Sequence, residues 1–391
     1  MNNSRNRNFK MVAKTMAGLE EVLAEELVKL GANNLVIGNR MVSFEGNLEL
    51  LYRANFQCRT ALRILRPVYQ FKARTTDEIY KRVKAMNWAE HLSVEKTFAI
   101  DAITFSNYFT HSKFVAYRVK DAIADYFLAK TGQRPNVDID NPDLLINFHV
   151  AEDTCTLSFD SSGESLHKRG YRVEQTEAPL NEVLAAGIIL KTGWKGDSDF
   201  MDPMCGSGTF LIEAALIAKN IAPGIYRKSF AFEKWENFDS ELFEEIFNDD
   251  SAEREFAHKI IGSDIDHKAV AISKANIKNA GLANMIEVEV KDMQSYDKAP
   301  FETGLLIANP PYGERLKPES LDNLYSMIGE RLKHVFTGYT AWILGYKKEC
   351  FDKIGLKPSK KFPFINGSLP CELRKYDIFA GKKYADKKEN V

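Results

Sequence analysis

The chain has 391 residues, 45% of them hydrophobic, with 53 Lys and Arg against 54 Asp and Glu and a formal net charge of −1. This is enough apolar material for two or three cored domains, but too even a charge for coating nucleic acid by bulk electrostatics; any RNA contact must use local patches and shape. Five scattered cysteines (Cys58, Cys155, Cys205, Cys350, Cys371) without a CxxC pair, and no 18-residue apolar run, lead us to expect no disulfide framework, no metal site, no membrane insertion and a cytoplasmic location.

In chain order, the first ~60 residues read as strand, helix, two strands and helix: Asn8–Ala13, Leu19–Leu30, Asn34–Ile37 with Met41–Phe44, and Leu48–Cys58. Leu19, Val22, Leu23, Leu27 and Leu30 recur at three- and four-residue spacing, giving the first helix one apolar stripe. Residues 60–160 repeat the alternation, with helices over Thr76–Met86 and Lys113–Lys130 and strands over Thr97–Ile103, Leu144–Val150 and Thr154–Phe159. Two small α+β modules, 1–59 and 60–160, are expected, followed by a Gly- and charge-rich linker over 161–177. From residue 178 to 391 short apolar strands (Phe200–Met201, Ile260–Ser263, Ile286–Val290, Leu305–Ala308, Thr340–Leu344) alternate with helices. This is the pattern of a doubly wound, mostly parallel α/β sheet. Residues 219–258, rich in aromatic and acidic side chains, are too long for an ordinary connection and read as an insertion with its own helix.

The first strand of that sheet runs into Asp202-Pro-Met-Cys205-Gly206-Ser207-Gly208-Thr209 and then a helix. Glycines at such a strand-to-helix turn let the backbone approach a ligand. The turn lacks the Gly-Lys-Ser/Thr ending of a P-loop, and Leu211 stands where a dinucleotide fingerprint has its third glycine. Asp202 places a carboxylate at the strand end, which suits an amine or sulfonium better than a pyrophosphate. Asp264 closes the next strand, where it could accept from a ribose diol, and Asp292 follows the third, within reach of an adenine amino group. Each aspartate alone could equally cap a helix; together they match an adenosine-bearing cation. Cys205 has no neighbouring base and reads as a small packing residue.

The fourth strand ends in Asn309-Pro310-Pro311-Tyr312-Gly313. Two prolines stiffen the loop and remove two backbone donors, leaving the Asn309 side-chain oxygen and the Pro310 carbonyl as convergent acceptors. Two acceptors suit the NH₂ of a nucleobase, and holding both hydrogens turns the nitrogen lone pair toward an incoming electrophile. Tyr312 offers a face on which an extruded base could stack.

The strings DPMCGSGT and NPPYGERL resemble those of class I methyltransferases acting on RNA guanine N2. Asn-Pro-Pro-Tyr alone also occurs in adenine-N6 DNA methyltransferases and protein glutamine methyltransferases, so the N-terminal half decides. SKFVAYRVKDAI (from Ser112), RPNVD (from Arg134), and LHKRGYR followed by APLNE (Leu166 to Glu182) resemble the THUMP-containing family. The closest likeness is to the 23S ribosomal RNA guanine-N2 methyltransferase module that proteobacteria carry as half of a fused enzyme. It covers nearly the whole chain.

The resemblance implies a ferredoxin-like segment, an RNA-binding THUMP domain and a Rossmann-like catalytic domain using S-adenosylmethionine. It also implies a single methylation activity, since the chain stops after the first module. The residues expected at the cofactor are Glu182, Asp202, Cys205, Gly206, Ser207, Gly208, Thr209, Asp264, Asp292 and Asn309; Asn309 through Tyr312 would form the catalytic loop. Lys113, Arg118, Lys120, Arg134, Lys168, Arg169 and Arg172 are candidate phosphate contacts, or equally a solvated surface. The expected partner is 23S ribosomal RNA or its precursor. The alternatives are a tRNA guanine-N2 methyltransferase and a non-catalytic RNA-binding or ribosome-assembly protein.

Overall fold

The computed structural model describes residues 5, 7–177, 179–311, 318–346, 348–367 and 369–379. The chain divides into two compact units: one comprises residues up to Thr15, Leu23–Leu166 and Arg227–Asp249, the other Met16–Val22, His167–Tyr226 and Asp250 onward.

In the first unit, β1 (Phe9–Lys14), α1 (Glu20–Lys29, entering from the other unit), β2 (Asn33–Gly38), β3 (Met41–Gly46) and α2 (Leu48–Gln57) lead into a long strand, β4 (Arg63–Lys72). Then come α3 (Thr76–Lys84), β5 (Phe98–Phe105), α4 (Ser112–Thr131), β6 (Leu144–Ala151) and β7 (Thr154–Asp160). The helices start where short polar side chains satisfy the first amides: Asn47 Oδ1 accepts from the Leu50 N–H and Thr75 Oγ1 from the Glu78 N–H. Along α4, Val115, Val119, Ala122, Ile123, Tyr126 and Phe127 are buried at helical spacing.

The strands form one continuous seven-stranded sheet, ordered β2-β3-β1-β4-β7-β6-β5. The two modules legible in the sequence thus share a sheet, because β4 pairs with β1 through Val12↔Leu65 on one side and with β7 from Leu65 to Lys72 on the other. A buried polar knot fastens the start of β4. Asn55 Nδ2 donates to Ser161 Oγ (2.8 Å), Ser162 Oγ donates to Asn55 Oδ1 (2.6 Å), and the Ile64 N–H donates to Ser162 Oγ (2.8 Å).

The Arg227–Asp249 segment of the expected insertion belongs to this first unit. Tyr52 of α2 stacks on Phe232 with centroids 4.4 Å apart, and Phe243 meets Tyr52, Phe56 and Phe232 edge-on. Such pairs contribute roughly 0.5–1.5 kcal/mol each beyond their burial. Asp239 caps the segment's own helix while its carboxylate receives Arg5 Nη2 at 2.7 Å.

The second unit contributes α5 (Glu182–Thr192), β8 (Phe200–Asp202) and α6 (Thr209–Lys219); the helix of the first-unit segment is α7 (Ser240–Phe247). Next come β9 (Ile260–Asp264), α8 (His267–Asn279), β10 (Ile286–Val290), β11 (Gly304–Ala308), α9 (Pro318–His334), β12 (Tyr339–Gly345), α10 (Lys348–Lys353) and the hairpin β13 (Lys360–Asn366) and β14 (Leu369–Asp377). Their order is β10-β9-β8-β11-β12-β14-β13; the first five strands are parallel and the last two antiparallel to their neighbours. The chain starts at the centre with β8, winds out through β9 and β10, then returns to the other side with β11. The carboxyl ends of β8 and β11 therefore mark the switch point, where ligands bind in open α/β sheets. α6 is buried along all but its last residue, and its apolar residues run all the way round. Among the described residues no helix is long and apolar enough to cross a membrane, and no cluster of His, Cys, Asp and Glu could hold a metal ion.

Candidate cofactor and methyl-transfer site

Register places the site. Asp202 pairs with Gly262, so Asp264 lies two residues beyond it on β9; Leu306 pairs with Met201, so Asn309 lies just past the other flank. Asp202, Asp264 and Asn309 therefore come together at the carboxyl edge of three neighbouring strands.

The turn after β8 has Gly206 at φ +54° and Gly208 at φ +81°. A Cβ on Gly208 would come within 2.4 Å of Ser273 Oγ, so both backbone conformation and space require glycine there. Asp264 holds the turn: its Oδ2 accepts the Gly206 N–H at 2.9 Å while Oδ1 accepts the Asp266 N–H. Gly208 begins α6 with no side-chain cap, which leaves the first-turn amides available to a ligand.

Asp202 is 1% exposed. Burial pushes its carboxyl up to about 8, a Met204 N–H bond opposes this, and the charge of Asp264 adds to it. Burial likewise pushes the Cys205 thiol well up, with Asp202 and Asp264 adding, as befits a packing residue rather than a nucleophile. Asp292 caps the turn Met293–Ser295 through its Oδ1. Asn309 Oδ1 is shielded from solvent and has no hydrogen-bond partner among the described residues. Pro310 is buried and Pro311 exposed; Tyr312 lies outside the described residues.

The segment after residue 168 is ordered against the turn. Arg169 Nε and the Tyr171 hydroxyl both reach Glu213 Oε1 of α6, at 3.5 and 3.0 Å. Arg172 donates to Glu182 Oε1 (2.9 Å), Ser207 Oγ (2.9 Å), Thr209 Oγ1 (3.0 Å) and the Leu180 carbonyl (3.1 Å). Asn276 of α8 closes the strap: its Oδ1 accepts the Val173 N–H and its Nδ2 donates to the carbonyls of Glu174 and Ser207.

The strap corrects two expected phosphate contacts. The side chains of Arg169 and Arg172 are 2% and 13% exposed, and their bonds to Glu213 and to the turn engage them inward. Lys168 and Lys113 are exposed. In the first unit Arg118, Lys120 and Arg134 line one cavity of about 750 Å³ together with Tyr80, Asp121 and Asp125. Arg118 lies over the Tyr80 ring and pairs with Asp77 at 2.6 Å, and Arg134 pairs with Asp125 at 2.8 Å. Sequence reasoning missed Asn276 and Glu213. Each is a polar residue in phase with buried neighbours on its helix, Val270, Ser273 and Ile277 for the one, Phe210 and Ile217 for the other, which is the signal of a buried polar partner.

Residues 169–375 match the family described as RMKL-like, methyltransferase domain; residues 73–160 match the THUMP domain and 10–65 the RlmL ferredoxin-like domain. A ribosomal RNA large subunit methyltransferase K/L of Syntrophotalea carbinolica is 39% identical over 95% of this chain, which corresponds to 54% of that protein. A Synechocystis protein provisionally named an RNA methyltransferase is 38% identical, over 94% of this chain and 96% of its own length. The chain thus spans about half the length of most of the K/L relatives it matches. Among solved structures, SMU.472, a provisionally named methyltransferase crystallised with S-adenosylhomocysteine, superposes with a TM-score of 0.86 at 34% identity, over 96% of this chain and 100% of its own. The turn, the acidic strand ends and the uncapped α6 fit S-adenosylmethionine, the cofactor of this fold. On these matches the chain belongs to the RMKL-like methyltransferase family, with ferredoxin-like and THUMP domains ahead of its S-adenosylmethionine-dependent domain.

Proposed function

We propose that the chain methylates the exocyclic N2 of a guanine in large-subunit (23S) ribosomal RNA. The carrying observation is the Asn309 side-chain oxygen just past the carboxyl end of β11, shielded from solvent and without a hydrogen-bond partner among the described residues. A buried acceptor left unmade costs about 1–3 kcal/mol, so its presence argues for a donor supplied by the substrate. An exocyclic amine supplies two N–H groups, one for Asn309 Oδ1 and one for the Pro310 carbonyl. Bound S-adenosylmethionine supplies a methyl group already activated on a sulfonium. The protein's task is to hold the amine with its lone pair in line and to keep water out. Both the names of the K/L relatives and the motif resemblance support a ribosomal substrate.

The test is methylation by the full chain, with labelled cofactor, of large-subunit RNA transcripts made with guanosine or with inosine, which lacks the exocyclic amine. N2-methylguanosine should form in the first and no product in the second. Label in adenosine, label in transfer RNA alone, or no transfer at all would each overturn the reading.

Asp202 is assigned to the cationic end of the cofactor. Its carboxyl is raised from an ordinary value near 3.9 to about 8, so it is mostly protonated at pH 7 in the free protein. By linkage it stabilises the free fold relative to its ionised form below pH 4, and that contribution is lost as pH rises through 8. A cation beside it favours ionisation, so binding below pH 8 should expel a proton and cofactor affinity should rise with pH between 6 and 8. Calorimetry in buffers of different ionisation enthalpy reads the proton directly; Asp202→Asn should abolish its release, and no release from the native protein at pH 7 would remove this role.

RNA is assigned to the cavity of the first unit. Arg118→Glu with Lys120→Glu should weaken RNA binding at least tenfold and flatten its dependence on log salt by about 2, near 0.9 for each duplex phosphate no longer neutralised, without changing cofactor affinity. An unchanged salt slope would place the phosphate-binding residues elsewhere.

A further inference from the structure

Four aromatic rings of the first unit stand out in solvent between the end of β5 and the second turn of α4. Phe105 ends β5, Tyr108 lies in the connection, and Phe114 and Tyr117 are on α4; their exposures are 68%, 50%, 55% and 59%. They are not spare core. Phe109 and Val115, interleaved with them, are buried and anchor the same stretch, so the fold closes here without the other four.

The contacts of this stretch gather the rings at the start of α3. Arg74, just ahead of α3, lies over the Tyr108 ring at 5.5 Å, and Asp77 in the first turn of α3 receives Arg118 of α4 at 2.6 Å. Arg118 follows Tyr117 and is one helical turn past Phe114, so the ring of the connection and the rings of the helix converge on one end of α3. Phe114 and Tyr117, three residues apart, lie side by side on one helix face. Phe105 extends the patch onto the last strand of the sheet, where its ring meets His149 with centroids 5.9 Å apart.

The charges around the rings choose the occupant. Asp77 is engaged by Arg118, Asp153 by Lys72 and Arg74, Glu78 by the Arg74 N–H, and Glu152 by Asn107. Lys113, beside Phe114, is exposed and has no partner among the described residues. Bare rings with a free cation among them suit a polyanion whose own flat apolar groups are accessible. Unpaired RNA is such a polyanion, whereas a duplex covers the faces of its bases and presents phosphates and 2′-hydroxyls. Each ring can take one base, whatever its identity.

We propose that Phe105, Tyr108, Phe114 and Tyr117 form a stacking platform for unpaired bases of the RNA, so that the first unit holds a single-stranded stretch as well as the phosphates met by the adjoining cavity. The proposal rests on RNA being the substrate, and adds which part of its structure the rings read.

The experiment measures binding, by fluorescence anisotropy, of three labelled probes: a short oligoadenosine, an abasic strand of the same length and an RNA duplex of that length. The full chain is used, native and Phe114→Ser with Tyr117→Ser. The native protein should bind oligoadenosine at least about tenfold more tightly than the abasic strand, the scale of stacking one or two bases. The double variant should lose about tenfold or more on oligoadenosine, stay within about twofold on the duplex, and keep the native salt slope, because rings neutralise no phosphates. A native chain indifferent to the bases, or a variant weakened equally toward oligoadenosine and duplex, would overturn the platform. Unchanged affinity in the variant would overturn it too and leave the rings to a protein partner. A native chain that binds none of the probes would overturn the assignment of RNA to the first unit, and this inference with it. If the variant does not fold, as judged by its thermal transition, Phe105→Ser with Tyr108→Ser takes its place; the same selective loss supports the platform and full retention overturns it.

Discussion

Asn309→Ala should cut the single-turnover rate of methyl transfer by about a thousandfold, the scale seen when one group aimed at a reacting centre is removed, while cofactor affinity stays within about twofold. The same substitution should leave the protein as stable or more stable. Asn309 Oδ1 is buried without a partner among the described residues, a penalty of about 1–3 kcal/mol that alanine removes. Activity and stability would then move in opposite directions, which a residue serving only the fold would not produce. Rapid-quench transfer assays and urea unfolding read the two halves. A variant that transfers methyl at a near-native rate would remove Asn309 from the mechanism, and one destabilised by several kcal/mol would make it structural.

Arg169→Ala should give the largest stability loss of any single change proposed for this chain, about 3–5 kcal/mol. Its guanidinium and the Glu213 carboxylate are 2% and 0% exposed, and removing one member of such a pair strands the other's charge in the interior. Replacing both, Arg169→Met with Glu213→Leu, should recover much of the loss, because burying apolar groups costs none of the desolvation of an ion pair. Urea unfolding of the two variants tests this; a loss below 1 kcal/mol in the single variant would mean that water or a rearranged neighbour takes over the carboxylate.

Much of the second unit was legible because each short parallel strand is an unbroken apolar run and the chemistry sits just past its end. Asp202, Asp264 and Asn309 could be placed at strand termini without coordinates. Pairing order could not, so that Asp264 and Asn309 flank Asp202 from opposite sides emerged only from the register. β4 escaped notice for a local reason: Pro67 interrupts it, the register shifts between Pro67 and Tyr69, and its charged residues look solvated, although Arg66 lies over the Phe9 ring at 4.4 Å. The hairpin β13–β14 was likewise unread, with Pro363 and Pro370 in its strands. Arg169 and Arg172 were misassigned because a string of basic residues looks the same in sequence whether it faces solvent or a buried carboxylate; the distinction lies with Glu213 and Glu182, 44 and 10 residues away.

The aromatic segment that joins the first unit from within the second half of the sequence limits how this protein can be taken apart. A fragment beginning near residue 175 would carry Phe230, Phe232 and Phe243 but neither Tyr52 nor Phe56, the α2 rings that Phe232 and Phe243 meet. Fully burying such a side chain is worth roughly 1.5–3 kcal/mol, so the fragment would be sticky as well as deprived of its THUMP domain. Poor methylation by it could then reflect aggregation as readily as lost recognition. The same fragment would lack Arg169 and Arg172, which bond to α6 and to the glycine turn, so a dissection needs a start at or before His167 as well as excision of 227–249, and even then Met16–Val22 of the second unit is left behind.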